Sequence, residues 1–297
     1  YGRLGGQAAE EKKGGARVDL GEKKNATDFA LWKFSPKDEK RQMEWKSPWG
    51  VGFPGWHIEC SAMSTKYLGR QFDIHTGGID HIPVHHENEL AQTQGAYGTL
   101  QARFWLHSEF LTVDGGKMSK SLGNLFTLDD LAEKGFDPLA YRYLVLGAHY
   151  RSKINFTWEA LEAAQNALHR LRLIIREWDA PGNVGCTTCE DGFQAAVNDD
   201  LNTPQALAFI WRLVDKPDVP TSSKSKTLLY FDRVLGLGLD AYIGKPLTIP
   251  AEVQALIQAR DKARATKDWV ASDRLRDEIQ SHGFEVMDTP EETKVRK

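Results

Sequence analysis

Cysteine is scarce. Only Cys60, Cys186 and Cys189 occur in 297 residues, too few for a disulfide framework. No apolar run approaches the roughly 18 residues a membrane helix needs, and no positively charged leader precedes a hydrophobic stretch. Excess charge is missing as well: 38 basic against 41 acidic residues leave −3. A chain that grips nucleic acid through a general basic field is more positive than this. Any RNA partner must therefore be met by local basic patches, shape and single-stranded contacts. No internal repeat is present. What remains is a chain expected in the cytoplasm, 41% hydrophobic and long enough for two domains. It opens on Tyr1 rather than methionine, and Tyr1–Gly21 is rich in glycine and charge. This stretch reads as the interior of a longer protein, so the chain is expected to be a fragment.

Residues up to about Ser47 are polar apart from an apolar knot at Phe29-Ala30-Leu31-Trp32, and the charged run Lys33–Lys46 predicts a surface loop or hairpin. From Pro48 the character changes. Trp56–Cys60 and Phe72–His75 predict short buried strands. Pro83 can start but not continue a helix over His85–Tyr97. Arg103–Val113 alternates like a strand or hairpin and ends at Asp114-Gly115-Gly116. Strands alternating with helices at this spacing argue for a parallel α/β sheet.

Beyond Pro138 the pattern is helical. Leu161, Ala164, Leu168, Leu171 and Ile175 recur at threes and fours, the mark of an amphipathic helix over Trp158–Trp178. Thr203 as N-cap with Pro204 at the first helical position predicts another helix start. Further helices fit Pro204–Val214 and Lys224–Leu237. Gly244 and Pro246 mark a linker. A helical pair, Ala251–Thr266 and Trp269–His282, precedes an extended tail, Phe284–Met287.

Two local patterns point to chemistry. Lys117-Met118-Ser119-Lys120-Ser121 is flanked by Gly115-Gly116 and Gly123. Two lysines on a glycine-hinged loop suit a mobile clamp on polyphosphate, where each acts as a point charge; a solvated turn is the competing reading. The second pattern is Cys60, His85 and Glu89. His85 and Glu89 are four apart and share a helix face, with Cys60 expected at the end of the neighbouring strand. Ligands of these three types fit a zinc site left open for a substrate. A buried thiol beside a helix salt bridge is the bland alternative. Trp56 and His57 fit plain core, and Asp199-Asp200 fits helix capping rather than catalysis. Cys186 and Cys189 form a single Cys-x-x-Cys in a Gly- and Thr-rich segment, which without a second pair reads as an incidental loop.

Longer strings go further. The complete Lys-Met-Ser-Lys-Ser loop after a strand is the signature of class I aminoacyl-tRNA synthetases. Gly55-Trp56-His57-Ile58-Glu59-Cys60-Ser61-Ala62-Met63, His75-Thr76-Gly77-Gly78 through Asp80, and His85-His86-Glu87-Asn88-Glu89 resemble cysteinyl-tRNA synthetases in particular. So do Gly15-Ala16-Arg17-Val18, Asp28-Phe29-Ala30-Leu31-Trp32-Lys33 and Asp199-Asp200-Leu201-Asn202-Thr203-Pro204. One departure stands out: Gly78-Ile79-Asp80-His81-Ile82-Pro83-Val84 replaces the family's more usual Ser-Asp-Leu and Phe-Pro pattern, which puts the pocket wall in doubt but keeps the ligand spacing.

The resemblance implies a Rossmann-like α/β half domain with a parallel sheet, then an α-helical bundle and a small C-terminal anticodon-binding domain. The implied divisions are 1–47 as the end of a connective insertion, 48–150 as the second half of the catalytic domain, 151–243 as the bundle and 244–297 as the anticodon-binding part. It implies that Cys60, His85 and Glu89 bind Zn2+, that Trp56, His75 and Asp80 line the amino-acid pocket, and that Lys117 and Lys120 are catalytic, with Lys120 contacting ATP. The family's fourth zinc ligand and its His-x-Gly-His-type ATP motif lie upstream of this chain, so the isolated fragment is expected to be inactive. Implied partners are tRNA(Cys), L-cysteine and ATP with Mg2+, with no membrane and a monomeric state. Between Arg260 and Arg276 lie six basic and three acidic residues, including Lys262, Arg264 and Lys267, where the resemblance implies RNA contact. Two further readings stay open: a mycothiol-pathway ligase joining cysteine to an amino sugar, and a truncated, non-catalytic tRNA-binding paralogue. The tail running to Lys297 disfavours the first.

Overall fold

A computed structural model describes residues 2–4, 23–25, 27–288 and 293–296. The Gly15-Ala16-Arg17-Val18 motif and nearly all of Tyr1–Gly21 lie outside the described residues. The chain divides into two units, Tyr1–Phe110 with Tyr150–Lys153, and Leu111–His149 with Ile154–Lys297.

In the first unit β1 (Trp32–Phe34) and β2 (Trp45–Ser47) both pair antiparallel with β3 (Gly50–Pro54), in the order β1-β3-β2. The charged run lies in their largely exposed connection. Then come α1 (Ile58–Leu68), β4 (Phe72–Gly78), a 3-10 turn over Ile79–His81, a π-helical turn over Ile82–His86, α2 (Glu87–Tyr97) and β5 (Ala102–Ser108). β4 and β5 run parallel, with His75 opposite Trp105. Antiparallel neighbours can be joined by a tight hairpin, whereas parallel ones need a crossover, and α2 supplies it. The expected strand over Trp56–Cys60 is corrected: the apolar strand ends at Pro54, and Ile58–Leu68, with Glu59 favouring its first turn, is helical.

In the second unit β6 (Leu111–Val113) pairs antiparallel with β7 (Gly116–Lys117) and parallel with a later strand. α3 (Leu128–Glu133) opens with a reciprocal capping box between Thr127 and Asp130. α4 (Pro138–Leu146) opens with Asp137 as N-cap and proline in its first turn, and β8 (Ile154–Phe156) is the later partner of β6. α5 (Trp158–Arg176) buries Leu161, Ala164, Leu168, Leu171 and Ile175, the stripe its spacing predicts. It packs in one core with α6 (Thr187–Asn198), α7 (Thr203–Val214) and α8 (Thr221–Leu235). The cap of α7 shifts by one residue: Asn202 accepts the Gln205 N–H at 3.3 Å, because the Thr203 hydroxyl donates instead to the Ala148 carbonyl.

α6 is absent from the sequence expectations. Gly192 in its interior lowers helix propensity, yet a Cβ there would collide with the Phe209 ring of α7. That glycine is the price of close helix packing.

The chain ends in α9 (Ala251–Ala265), α10 (Trp269–Ser281) and an antiparallel hairpin of β9 (Glu285–Asp288) and β10 (Thr293–Arg296). Arg260, expected among RNA-facing residues, is corrected: it is 1% exposed. Its guanidinium donates to Asp288 at 2.6 and 3.2 Å and to Thr293 at 2.8 Å. Arg264 and Arg276 also reach Asp288, at 3.3 and 2.6 Å. These groups hold the Asp288 carboxyl below the usual carboxylate range, the Arg260 hydrogen bonds most strongly and against the effect of burial.

Gly192→Ala separates propensity from packing. Alanine favours a helix by about 1 kcal/mol, but displacing Phe209 costs about 1–3 kcal/mol. Urea denaturation is expected to show a net loss of stability; a gain would mean that Phe209 swings aside freely.

Candidate metal centre and lysine loop

The first unit gathers His57, His75, His81, His85, His86 and His107, six of the nine histidines, around the carboxylate of Glu89. After β3 the chain turns sharply. The Gly55 N–H donates to the Leu31 carbonyl at 2.8 Å, and a Cβ at 55 would collide with the Ala30 carbonyl. His57 follows with φ +83°, a backbone state that costs a non-glycine residue energy unless its surroundings hold it. Here its ring stacks on Trp56 at 4.8 Å, meets Phe29 edge-on at 6.3 Å, and lies 2.6 Å from His85, Nδ1 to Nδ1. α1 starts at once, which puts Cys60 in its first turn rather than at a strand end.

β4 brings His75 to the opposite side, where its Nε2–H donates to Glu89 Oε2 at 2.9 Å. A Cβ at Gly77, also on β4, would lie 2.6 Å from His86 Cε1 and 2.8 Å from His81 Nδ1, so glycine leaves room for both rings against the strand. The Nε2 atoms of His85 and His86 stand 3.5 and 3.8 Å from the same carboxylate oxygen, and His86 Nδ1 lies 2.8 Å from His107 Nε2. His85 and His86 end the π-helical turn, directly before α2 begins at Glu87. Such insertions cluster at functional sites because they re-aim side chains.

Glu89 is 0% exposed and its Oε1 has no hydrogen-bond partner among the described residues. Its salt-bridge neighbours among the described residues are all imidazoles. Burial, with the neighbouring rings of His75, His107, His81 and His85, pushes His86 down to about 3. Burial likewise holds His57, His85 and His107 below the ordinary imidazole value. Neutral imidazoles are the form that binds metals, and Glu89 Oε1 is left without a hydrogen-bond partner among the described residues. A buried charge is ordinarily paired or coordinates a cation. Two donor sets meet this demand: one atom each from Cys60, His85 and Glu89, or from His75, His86 and Glu89, all within 4.8 Å of one another in each set. Burial, then the charges of Glu89 and Glu59, raises the Cys60 thiol above its ordinary value.

Sequence spacing thus anticipates three residues that do converge: Cys60, His85 and Glu89. His75, expected to line an amino-acid pocket, has its ring bonded to Glu89. Trp56 is 70% exposed and its ring lies 6.4 Å from that of His85. Asp80 is exposed on the 3-10 turn, where it crowds the Cβ position of Gly78. His81, His86 and His107 are not anticipated, and His57 is read as plain core. The available signal was the concentration of histidine between residues 57 and 107.

The lysine loop belongs to the second unit. Asp114 and Gly115, with φ +49° and +76°, make the two-residue turn between β6 and β7. Asn155 Oδ1 accepts from the Gly115 N–H at 2.7 Å. Asn124 closes the loop, accepting from the Ser119 N–H at 2.8 Å and donating to the Lys117 carbonyl at 3.0 Å. Met118 packs on the cluster of Val113, Leu131, Ala140, Phe156 and Leu161, while Lys117 and Lys120 are exposed. Apolar anchoring below and free ammonium groups above suit a loop that meets an anion.

Residues 1–166 match the family described as tRNA synthetases class I (C) catalytic domain. Residues 192–239 match the DALR domain, and 248–296 the cysteinyl-tRNA ligase anticodon binding domain. The chain belongs to the cysteine–tRNA ligase family of class I synthetases. A Cysteine--tRNA ligase 1 of Burkholderia lata is 54% identical over 292 residues, 98% of this chain and 62% of that protein. A Cysteine--tRNA ligase of Treponema denticola is 39% identical over 330 residues, covering all of this chain and 67% of the relative. One of Haemophilus influenzae is 42% identical over 311 residues, again covering all of this chain and 67% of the relative. The chain therefore spans about 62–67% of the length of these curated relatives. No helix among the described residues is long and apolar enough to cross a membrane.

Gly77 and Gly78 test the packing of the centre. Gly77→Ala must push His81 and His86 aside and is expected to weaken divalent-metal binding by about ten- to a hundredfold. At Gly78 a Cβ meets only the exposed Asp80 carboxylate, which can rotate away, so Gly78→Ala should leave affinity unchanged. Competition with a chromophoric chelator reads both; equal effects would show that ring placement does not govern the site.

Proposed function

We propose that this chain is the part of a cysteine–tRNA ligase that recognises the cysteine thiol, neutralises the leaving pyrophosphate and contacts tRNA. The carrying observation is the convergence of Cys60 and His85 on the buried Glu89, donor atoms within 4.8 Å, with Glu89 Oε1 unpartnered among the described residues. Cys60, His85 and Glu89 would hold a zinc ion. Zinc bound there supplies a borderline-soft centre that takes a thiolate in preference to a serine hydroxyl. An apolar pocket alone would separate two near-isosteres poorly.

His57 and His75 act on the ligands rather than on substrate. The His57 ring touches His85, and the His75 N–H fixes one oxygen of Glu89; partners of this kind orient ligands and set their basicity. Trp56 and Asp80, both exposed, are available to the amino acid, Asp80 to its ammonium end. In the proposed reaction that carboxylate attacks the α-phosphorus of ATP, pyrophosphate departs with its Mg2+, and a tRNA ribose hydroxyl then displaces AMP from the cysteinyl-adenylate. The nucleophile is already an anion, so the protein positions groups and neutralises charge. Lys117 and Lys120 do the latter.

For RNA, the burial of Arg260 removes one candidate, and exposed Lys262, Lys267 and Arg274 beside exposed Trp269 take its place. Aromatic faces among basic residues suit single-stranded bases. The matched anticodon-binding region, 248–296, favours tRNA over an amino-sugar acceptor. Ile74 and Phe104 face each other across β4 and β5 yet are 56% and 64% exposed. Parallel sheets ordinarily have both faces covered. The 297 residues alone are therefore expected to show no cysteine-dependent ATP–pyrophosphate exchange.

Two measurements test this reading. In this chain, His85→Ala or Glu89→Ala should lower bound zinc while Cys186→Ser does not; metal content that follows Cys186 would place the site elsewhere. In the complete enzyme, Lys120→Ala should slow adenylate formation by about two to three orders of magnitude, roughly 3–4 kcal/mol, with cysteine affinity unchanged. His85→Ala should instead weaken cysteine binding. Unaltered single-turnover adenylation in Lys120→Ala would make the lysine loop a surface turn.

A further inference from the structure

The function just proposed leaves Cys186 and Cys189 unused, and the structure overturns their expected place in an incidental loop. Cys186 is the N-cap residue of α6, and Cys189 lies in its first turn with its N–H donating to the Cys186 carbonyl at 2.9 Å. Spacing of three residues at a helix start puts both side chains on one side. The turn is anchored. The Cys186 N–H donates to Thr227 Oγ1 of α8 at 2.7 Å, and that hydroxyl donates to Glu190 Oε1 at 2.8 Å. Gly185 precedes them because a Cβ there would collide with the Glu190 carboxylate.

The two sulfurs sit in different environments. Burial raises the Cys186 thiol, but hydrogen bonds from the Cys189 thiol, the Thr188 hydroxyl and the Cys189 N–H, with the charge of Lys216, bring it below its ordinary value. Cys186 Sγ lies 3.5 Å from Thr188 Oγ1. Burial, then the interaction with Cys186, pushes Cys189 up to about 11. One sulfur at a helix N-terminus, where the backbone N–H groups favour thiolate, with a second three residues on is the arrangement that thiol–disulfide exchange uses.

We propose that Cys186 and Cys189 form a reversible dithiol–disulfide pair, with Cys186 as the attacking sulfur, Cys189 as the resolving one, and a low-molecular-weight disulfide as oxidant. The Cys186 thiolate attacks one sulfur of the disulfide RSSR, forming a mixed disulfide and releasing RS⁻. Cys189 then loses its proton and attacks Cys186 Sγ, closing the intramolecular bond and releasing a second RS⁻. The protein loses two hydrogens and one RSSR becomes two RSH. Both side chains are buried, 8% and 7% exposed, so an opening of the turn common to both limits the absolute rate, while thiolate fraction sets which sulfur attacks first. The pair is independent of the zinc reading, whose readout is metal content.

Incubating the 297-residue chain with glutathione disulfide and measuring intact mass tests the pair without substitutions. The expected result is loss of two hydrogens, mapped to the peptide holding both cysteines and reversed by dithiothreitol. If both thiols of the folded chain stay alkylatable under conditions that oxidise the same pair in urea, they are core filling and the proposal is wrong. Cys189→Ser is expected to accumulate a glutathionyl group on Cys186, about tenfold faster than Cys186→Ser accumulates one on Cys189. Equal trapping at the two positions would overturn the assignment of the attacking sulfur.

Discussion

A carboxylate with no surface facing water has to be compensated, and in the first unit that demand falls on Glu89. Its Oε2 is approached by His75, His85 and His86, at 2.9, 3.5 and 3.8 Å, while its Oε1 has no hydrogen-bond partner among the described residues. The surrounding backbone serves this one group. β4 presents His75, Gly77 clears space for His81 and His86, the π-helical turn aims His85, and the strained His57 braces it. Burial keeps the rings of His57, His85, His86 and His107 toward their neutral form, the form in which imidazole binds a metal. In the proposed reading, a cation held by Cys60, His85 and Glu89 would compensate the carboxylate and turn its burial into a binding site.

In the proposed reading, recognition and phosphate chemistry fall on different kinds of structure. The metal-type centre is built on a strand, a helix and a locked turn, all packed. The lysines sit on an exposed loop tied down by Asn124, Asn155, the pairing of β6 with β7 and the partly buried Met118. Thiol selection demands fixed ligand geometry. Neutralising a departing pyrophosphate demands point charges that can follow it. The C-terminal hairpin repeats the first strategy, with Asp288 tying Arg260, Arg264 and Arg276 together.

Much of this was legible in the sequence where a short-range rule applied. The three-and-four spacing gave the buried face of α5, and the strand–helix–strand order gave the parallel pair of β4 and β5. Four-residue spacing put His85 and Glu89 on one side. What failed depended on tertiary partners. Cys60 was expected on a strand because Trp56–Cys60 looks apolar, whereas Gly55 and the positive φ of His57 break the chain there. α6 was missed because Gly192 answers to Phe209, far away in sequence. Thr203 lost its cap to Asn202 because Ala148 claims its hydroxyl, and Arg260 reads as a surface charge until Asp288 and Thr293 are seen beside it. The histidine cage was the largest omission: its members are scattered over fifty residues and share no period.

The central claim is that Glu89 and its neighbours form a thiol-selective zinc site, and zinc K-edge X-ray absorption on the metal-loaded chain tests it most directly. Adding L-cysteine is predicted to increase sulfur in the zinc coordination shell by one scatterer, at roughly 2.3 Å as zinc–thiolate bonds run, while L-serine leaves the shell as it was. A sulfur count unchanged by cysteine, or changed equally by both amino acids, would contradict the account.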